Sequence, residues 1–270
     1  MEKLKKEIII SNSQFKEQCA QCGIIENINL DKITNFDIIS HKNEYEEIYY
    51  KNAGIKKRKK REEDENVVIY KVKEEDKDQG GYVQIIGENK LGDDFLKTNQ
   101  NKVQLWINGK EESNLTYKYK LKNGINKIKF IFKENIKSLN SLFKGCTSLY
   151  KISALKNWNV SEVTDFSYLF NGCTSLNNIS SLKNWDVSKG INFNSLFEDC
   201  CSISDFSSLT DWNVSNGIYF NSLFNNCKLL SNVSALKNWN INNGRDFSYL
   251  FHNCSSLKDI LDINNWKINS

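Results

Sequence analysis

Residues 165–191 read DFSYLFNGCTSLNNISSLKNWDVSKGI, and the recurrence of this stretch decides the fold. Phe143, Phe170, Phe197, Phe224 and Phe251 stand 27 residues apart. Cys146, Cys173, Cys200, Cys227 and Cys254 keep the same step, and so do Trp158, Trp185, Trp212, Trp239 and Trp266. Three uncommon residue types locked to one period mark stacked supersecondary units. A single unit of this size cannot bury enough apolar surface alone, whereas neighbours in a stack bury it for each other.

Within one unit, Phe166, Leu169, Phe170 and Cys173 fall at i, i+3, i+4 and i+7. That spacing predicts a short helix of about two to three turns. Asp165 stands just before it, with Asn192 and Asp246 in the same place elsewhere, as N-caps. Tyr219 breaks that column, and Gly190, Gly217 and Gly244 suit a turn upstream. Leu176, Ile179, Leu182, Trp185 and Val187 then follow at wider spacing. A Leu-x-x-Leu run of this kind needs a short strand, at Ile179 to Leu182 in preference to Trp185 to Val187. The polar column Asn157, Asn184, Asp211, Asn238 and Asn265 is placed to satisfy backbone of the adjacent coil. The fold class expected is a repeat protein of α/β type: a right-handed leucine-rich-repeat solenoid of five coils over residues 134–270.

The rest of the chain sorts into two parts. Residues 1–66 show no sustained period and end in a basic block, 56–61, followed by an acidic one. Such a segment reads as a solvated linker, with a nuclear localisation signal as the alternative. Residues 67–133 are richer in β-branched and aromatic residues, at Val67–Tyr70, Tyr82–Ile86, Val103–Ile107, Tyr117–Leu121 and Ile125–Phe132. Asp93 to Asn99 reads as a helix and Asn108-Gly109 as a tight turn. This predicts a small α/β module that caps the first coil.

The unit Asn184-Trp185-Asp186-Val187-Ser188, followed by Phe193-Asn194-Ser195-Leu196-Phe197 and Cys200, resembles the BspA-type leucine-rich repeats of bacterial surface proteins, mycoplasmas and protozoa. The segments Tyr82–Glu88, Phe95–Asn99 and Ile107–Glu111 resemble the stretch that precedes such repeats in protozoan members. The resemblance implies binding or adhesion and supplies no catalytic residues. This chain departs from bacterial members in lacking a secretion signal, and it has one methionine where many relatives place Met in the helix of the repeat, Phe and Leu taking that role here.

Composition narrows the function classes. The net charge of +4 is far from what nucleic-acid binding by bulk charge requires. No apolar run reaches the roughly 18 residues of a membrane span, and the first residues lack the apolar core of a secretory signal. The compartment expected is intracellular and cytoplasmic, so the cysteine column is expected to stay reduced as small buried side chains. The Asn159 and Asn213 sequons then follow from the repeat alone. Cys19 and Cys22 have the spacing of half a zinc site, but the only histidines are His41 and His252. Structural zinc needs four ligands, which leaves a metal or redox protein as a minor alternative to two coincidental thiols. No catalytic constellation, cofactor motif or metal-ligand cluster is readable.

The function expected is therefore non-enzymatic: a scaffold that binds a protein partner, with an adhesin-like surface protein as the alternative. The candidate face consists of Ser153, Ser180, Ser207 and Ser234, beside Lys156, Lys183 and Lys237. If these segments form the strand side, the serines make an even surface with a basic stripe along it. Beyond the fifth tryptophan, Asn264, Asn265, Lys267 and Asn269 could blunt the last coil. The alternative is self-association or partner docking through that edge.

Overall fold

The computed structural model describes residues 67–90 and 92–266, all within one compact unit spanning 63–270. Cys19, Cys22, His41, the basic block at 56–61, and Lys267 and Asn269 lie outside the described residues.

Residues 67–132 form strands at the five places expected and a sixth at Lys110–Glu112, which the Asn108-Gly109 turn folds back onto its neighbour. They are β1 (Val68–Val72), β2 (Tyr82–Gln84), β3 (Val103–Ile107), β4 (Lys110–Glu112), β5 (Lys118–Lys120) and β6 (Gly124–Phe132). The helix α1 (Phe95–Asn99) opens on Asp94, whose carboxylate accepts the Lys97 N–H at 3.0 Å. Asn108 and Gly109 carry β3 into β4 with both φ values positive, the geometry of a tight hairpin turn. A seventh strand, β7 (Leu149–Lys151), lies within the first repeat and pairs antiparallel with β1. One five-stranded sheet, in the order β4-β3-β6-β1-β7, therefore joins the module to the repeats. β2 and β5 pair separately.

From residue 138 onward the chain climbs in steps of 27. Isolated parallel bridges run Ser138 to Asp165, Asp165 to Asn192, Asn192 to Tyr219 and Tyr219 to Asp246. Equivalent rings stack almost parallel, with interplanar angles of 7° for Phe193 on Phe220 and 4° for Trp212 on Trp239. Phe143, Phe170, Phe197 and Phe224 are buried, while Phe251 in the last repeat is half-buried.

The interior of each unit differs from the helix and strand expected. Residues 166–173 are not helical; they are a run of tight turns whose outer edge forms the inter-repeat ladder. Alternate N–H groups divide the work. Those of Leu169 and Asn171 close turns on Phe166 and Tyr168, while those of Phe166, Tyr168, Phe170 and Gly172 donate to Asn192, Asn194, Leu196 and Glu198 of the next repeat. Every backbone donor in the segment is thereby satisfied, as burial requires. The alternation needs left-handed residues at two columns. One is Gly145, Gly172, Asp199, Asn226 and Asn253, the residue types that tolerate positive φ. The other is Ser141, Tyr168, Ser195, Ser222 and Tyr249, held there by the ladder at a cost of roughly 1–2 kcal/mol each.

A helix loses here because an isolated two-turn helix is marginal, whereas the ladder gains bonds to both neighbours. Four inward positions at i, i+3, i+4 and i+7 serve either conformation. The strand expected at Ile179 to Leu182 is likewise a 3₁₀ turn, Ser180–Leu182, with counterparts at Ser153–Asn157, Ser207–Leu209, Ser234–Leu236 and Leu261–Ile263. Asp165 and Asp246 act as caps, but of turns: each carboxylate accepts both the backbone N–H and the hydroxyl of the serine two residues on. Gly217 is needed for close approach, since a Cβ there would lie 2.3 Å from the Phe220 ring.

Two buried side-chain donors tie each repeat to the one before. Trp185, Trp212, Trp239 and Trp266 donate their indole N–H to Leu155, Leu182, Leu209 and Leu236 carbonyls at 2.7–3.1 Å. Cys173, Cys200, Cys227 and Cys254 donate Sγ–H to Phe143, Phe170, Phe197 and Phe224 carbonyls at 3.0–3.1 Å. The cysteines are thus more than small apolar fillers. In the exposed column before each tryptophan, Asn157, Asn184, Asp211, Asn238 and Asn265, the last makes the expected contact, Asn265 donating Nδ2 to the Lys237 carbonyl of the repeat before at 3.4 Å. The indoles of Trp185, Trp212, Trp239 and Trp266 beside this column make the buried inter-repeat bonds.

Candidate functional site

The stack presents two long surfaces, set by how far one repeat steps from the next. Ring centroids beside the start of the ladder step by 5.4, 5.4 and 5.3 Å through Phe166, Phe193, Phe220 and Phe247. The Phe143 column steps by 5.8, 5.7, 5.9 and 5.7 Å. Trp185, Trp212 and Trp239 step by 6.4 Å. Equivalent points move further the nearer they lie to the tryptophans, so the ladder runs along the tight side of the stack and the 3₁₀ turns along the wide side.

The candidate serines and lysines lie on the wide side. Ser153, Ser180, Ser207 and Ser234 are exposed, each as the first residue of its 3₁₀ turn. Asp205 and Asn232 fix the last two by accepting the serine N–H, at 2.8 and 3.3 Å. Asn178 does the same for Ser180 at 2.9 Å. Lys156, Lys183 and Lys237 are exposed at the ends of the turns, with Thr210 in the corresponding place of the third repeat. The structure therefore brings the candidate residues into register on one face. It puts them on turns, because the strand-like pairing belongs to residues 165–172.

On the tight side the ladder carries a polar row that the sequence alone did not reveal. Glu198 accepts Asn171 Nδ2 at 2.8 Å and Asn225 Nδ2 at 2.7 Å, and Asn225 Oδ1 meets His252 Nδ1 at 3.2 Å. Lys144 Nζ sits 4.4 Å from the centre of the Tyr168 ring, a cation–π contact. Asn171, Glu198, Asn225 and His252 are partners along the stack, while Lys144 at the head of the same column faces Tyr168. Residues 27 apart that can bond each other are the signal in the sequence. These side chains are occupied along the ladder. Among the described residues, no group of three or more His, Cys, Asp or Glu is arranged to hold a metal ion. No described helix is long and apolar enough to cross a membrane.

The thiol column is electrostatically silent. Burial pushes Cys146 up to about 12, the nearby Tyr70 hydroxyl offsetting part of the rise. Burial likewise raises Cys173, Cys200 and Cys227 well above the ordinary thiol value, and Cys254 less far. A raised folded-state value favours the neutral thiol. This contribution is complete below the unfolded thiol value near 9 and is lost as pH climbs from there towards 12. We expect the unfolding free energy to fall over that window, by up to about 1.4 kcal/mol per pH unit for each buried thiol, and the urea midpoint with it. Cys200→Ala should flatten the slope. A midpoint that is level to pH 11 would contradict the burial of the column.

A family model described as "Mycoplasma protein of unknown function, DUF285" matches residues 113–231 and 202–270. The two matches overlap and together cover more than half of the 270 residues. The chain belongs to this family. No curated protein and no solved structure matches it. The DUF285 matches begin at residue 113, ahead of β5, and run on through all five repeats. DUF285 membership assigns no activity, so function rests on the surfaces just described.

Proposed function

We propose that this chain is a non-catalytic interaction module, a leucine-rich-repeat-type right-handed solenoid that holds a protein partner through its wide face. The observation that carries this reading is the register of exposed Ser153, Ser180, Ser207 and Ser234 with Lys156, Lys183 and Lys237 over a fully buried core. A rigid, evenly stepped face is the kind of surface through which repeat proteins bind. The serines keep the face low, and the lysines favour carboxylates. Thr210 interrupts the basic row and Asp211 lies beside it, so an acidic partner must bridge the third repeat. The resemblance to BspA-type repeats supports binding over catalysis. An intracellular setting fits the buried, unpaired thiols Cys146, Cys173, Cys200, Cys227 and Cys254.

The test is Lys156→Glu, Lys183→Glu and Lys237→Glu combined in one protein. All three sites are exposed, so the thermal midpoint should hold; surface substitutions cost within about 0.5 kcal/mol each. Binding of an immobilised oligoglutamate peptide should weaken on the order of tenfold, which is ~1.4 kcal/mol. Equal binding by the parent and the triple variant would remove this face.

A further inference from the structure

The tryptophan column lacks one bond. Trp185, Trp212, Trp239 and Trp266 each donate the indole N–H back along the stack to a carbonyl of the preceding repeat. Trp158 heads the column and packs in the same way. Its ring lies 6.2 Å from Phe143 at 26°, as Trp212 lies 6.5 Å from Phe197 at 32°. The same packing turns its N–H the same way, towards the module, where β6 takes the place of a preceding coil. No acceptor meets it among the described residues. An indole nitrogen only donates, so the group that completes this bond must be an acceptor.

A cavity of about 450 Å³ opens at this seam, and every residue that lines it lies between 129 and 159. Its apolar wall is Phe130, Phe132, Ile136 and Trp158. Phe130 and Phe132 stand edge-on to the Trp158 ring at 6.0 and 4.7 Å, so the wall is made of rings that hold one another in place. Lys129 and Lys133 line it together with Glu134, and all three are exposed. Neither lysine has an ion-pair partner among the described residues. The cavity is therefore apolar on one side, net positive on the other, and has one open donor between. Its volume is that of a small-molecule site.

We propose that this cavity binds a small apolar carboxylate, its ring or chain against Phe132 and Trp158 and one carboxylate oxygen accepting the Trp158 indole N–H. An ionised carboxylate only accepts, which matches the open donor. Its charge strengthens that bond and suits Lys129 and Lys133. A neutral ligand would leave the lysines unused, and a bare anion would leave the apolar wall wet. Lys156, Lys183 and Lys237 do not line the cavity. This site is therefore separate from the row of serines and lysines on the 3₁₀ turns, and the two can be tested apart.

The test is a titration of the full chain with phenylacetate, followed by NMR on the indole N–H signals. The Trp158 signal should move downfield as its bond forms, while those of Trp212 and Trp239, already bonded within the stack, stay in place. Acetate lacks the apolar body and phenylethanol lacks the charge, and each should bind at least about tenfold more weakly. Trp158→Phe keeps a ring and removes the donor, so affinity should fall about tenfold. Lys129→Gln combined with Lys133→Gln changes only exposed residues, so the fold should hold and affinity should fall about threefold. No movement of the Trp158 signal with phenylacetate would overturn the proposal. So would equal responses to acetate or inorganic phosphate, which would reduce the site to a positive patch. A tighter response to a peptide ending in phenylalanine would overturn the small-ligand assignment in favour of a chain terminus.

Discussion

Replacing Phe197 by Ala should destabilise the protein by about 3–5 kcal/mol, the cost of an aromatic cavity in a packed core. Phe197 lies between Phe170 at 5.7 Å and Phe224 at 5.9 Å, with Phe206 edge-on at 5.6 Å, and it is fully buried. Neighbours on both sides are held by their own ladder bonds and cannot close the gap. The same change at Phe251 removes a half-buried ring with one stacking neighbour, Phe224 at 5.7 Å, and should cost less than half as much. Chemical denaturation of both variants gives the comparison. Equal losses would mean that the rings do not stack as columns.

The second large effect is expected at Gly87. A Cβ there would lie 2.0 Å from the Ser141 carbonyl oxygen and 2.5 Å from the Lys144 nitrogen. Both are backbone atoms fixed in the first ladder, so neither can yield as a side chain would. Gly87→Ala should therefore push the module off the first repeat, breaking the Gly87 N–H bond to Leu142 O. The cost should reach or exceed the roughly 3 kcal/mol upper range of ordinary overpacking. Gly92→Ala is the control, since its nearest atom would be at 3.5 Å, an ordinary contact, and its φ is not in the left-handed region. Thermal unfolding should separate the two by several degrees, at about 2–4 °C per kcal/mol for a chain of this size. Similar midpoints would contradict the contact between module and first repeat.

The sequence disclosed the large-scale order. The period, the buried Phe, Trp and Cys columns, the strands of residues 67–132 and the Asn108-Gly109 turn were all legible, because each follows from residue type and spacing. The path inside the repeat was not. Phe166, Leu169, Phe170 and Cys173 face inward in a helix and equally in a run of turns. The choice between them depends on bonds to residues 27 positions away. One trace was present: Gly145, Gly172, Asp199, Asn226 and Asn253 fill a column that demands positive φ, which a helix interior would not. The candidate face was legible as an exposed row at Ser180 and Lys183. Its conformation follows the ladder, which runs one segment earlier, at residues 165–172, than the strand expected at Ile179 to Leu182. The Asn171–Glu198–Asn225–His252 row stayed hidden because its members differ in type, and a column of unlike residues suggests indifference until their side chains are seen to bond.

The central claim is that successive 27-residue units are joined by forward-pointing peptide groups in place of a helix. Scalar coupling through hydrogen bonds, measured by NMR between amide nitrogen and carbonyl carbon, reports these bonds one at a time. The structure requires couplings from Ser195 N to the Asn221 carbonyl and from Phe197 N to the Leu223 carbonyl. Couplings from Phe197 N to Phe193, the i to i−4 pattern of an α-helix, would contradict it.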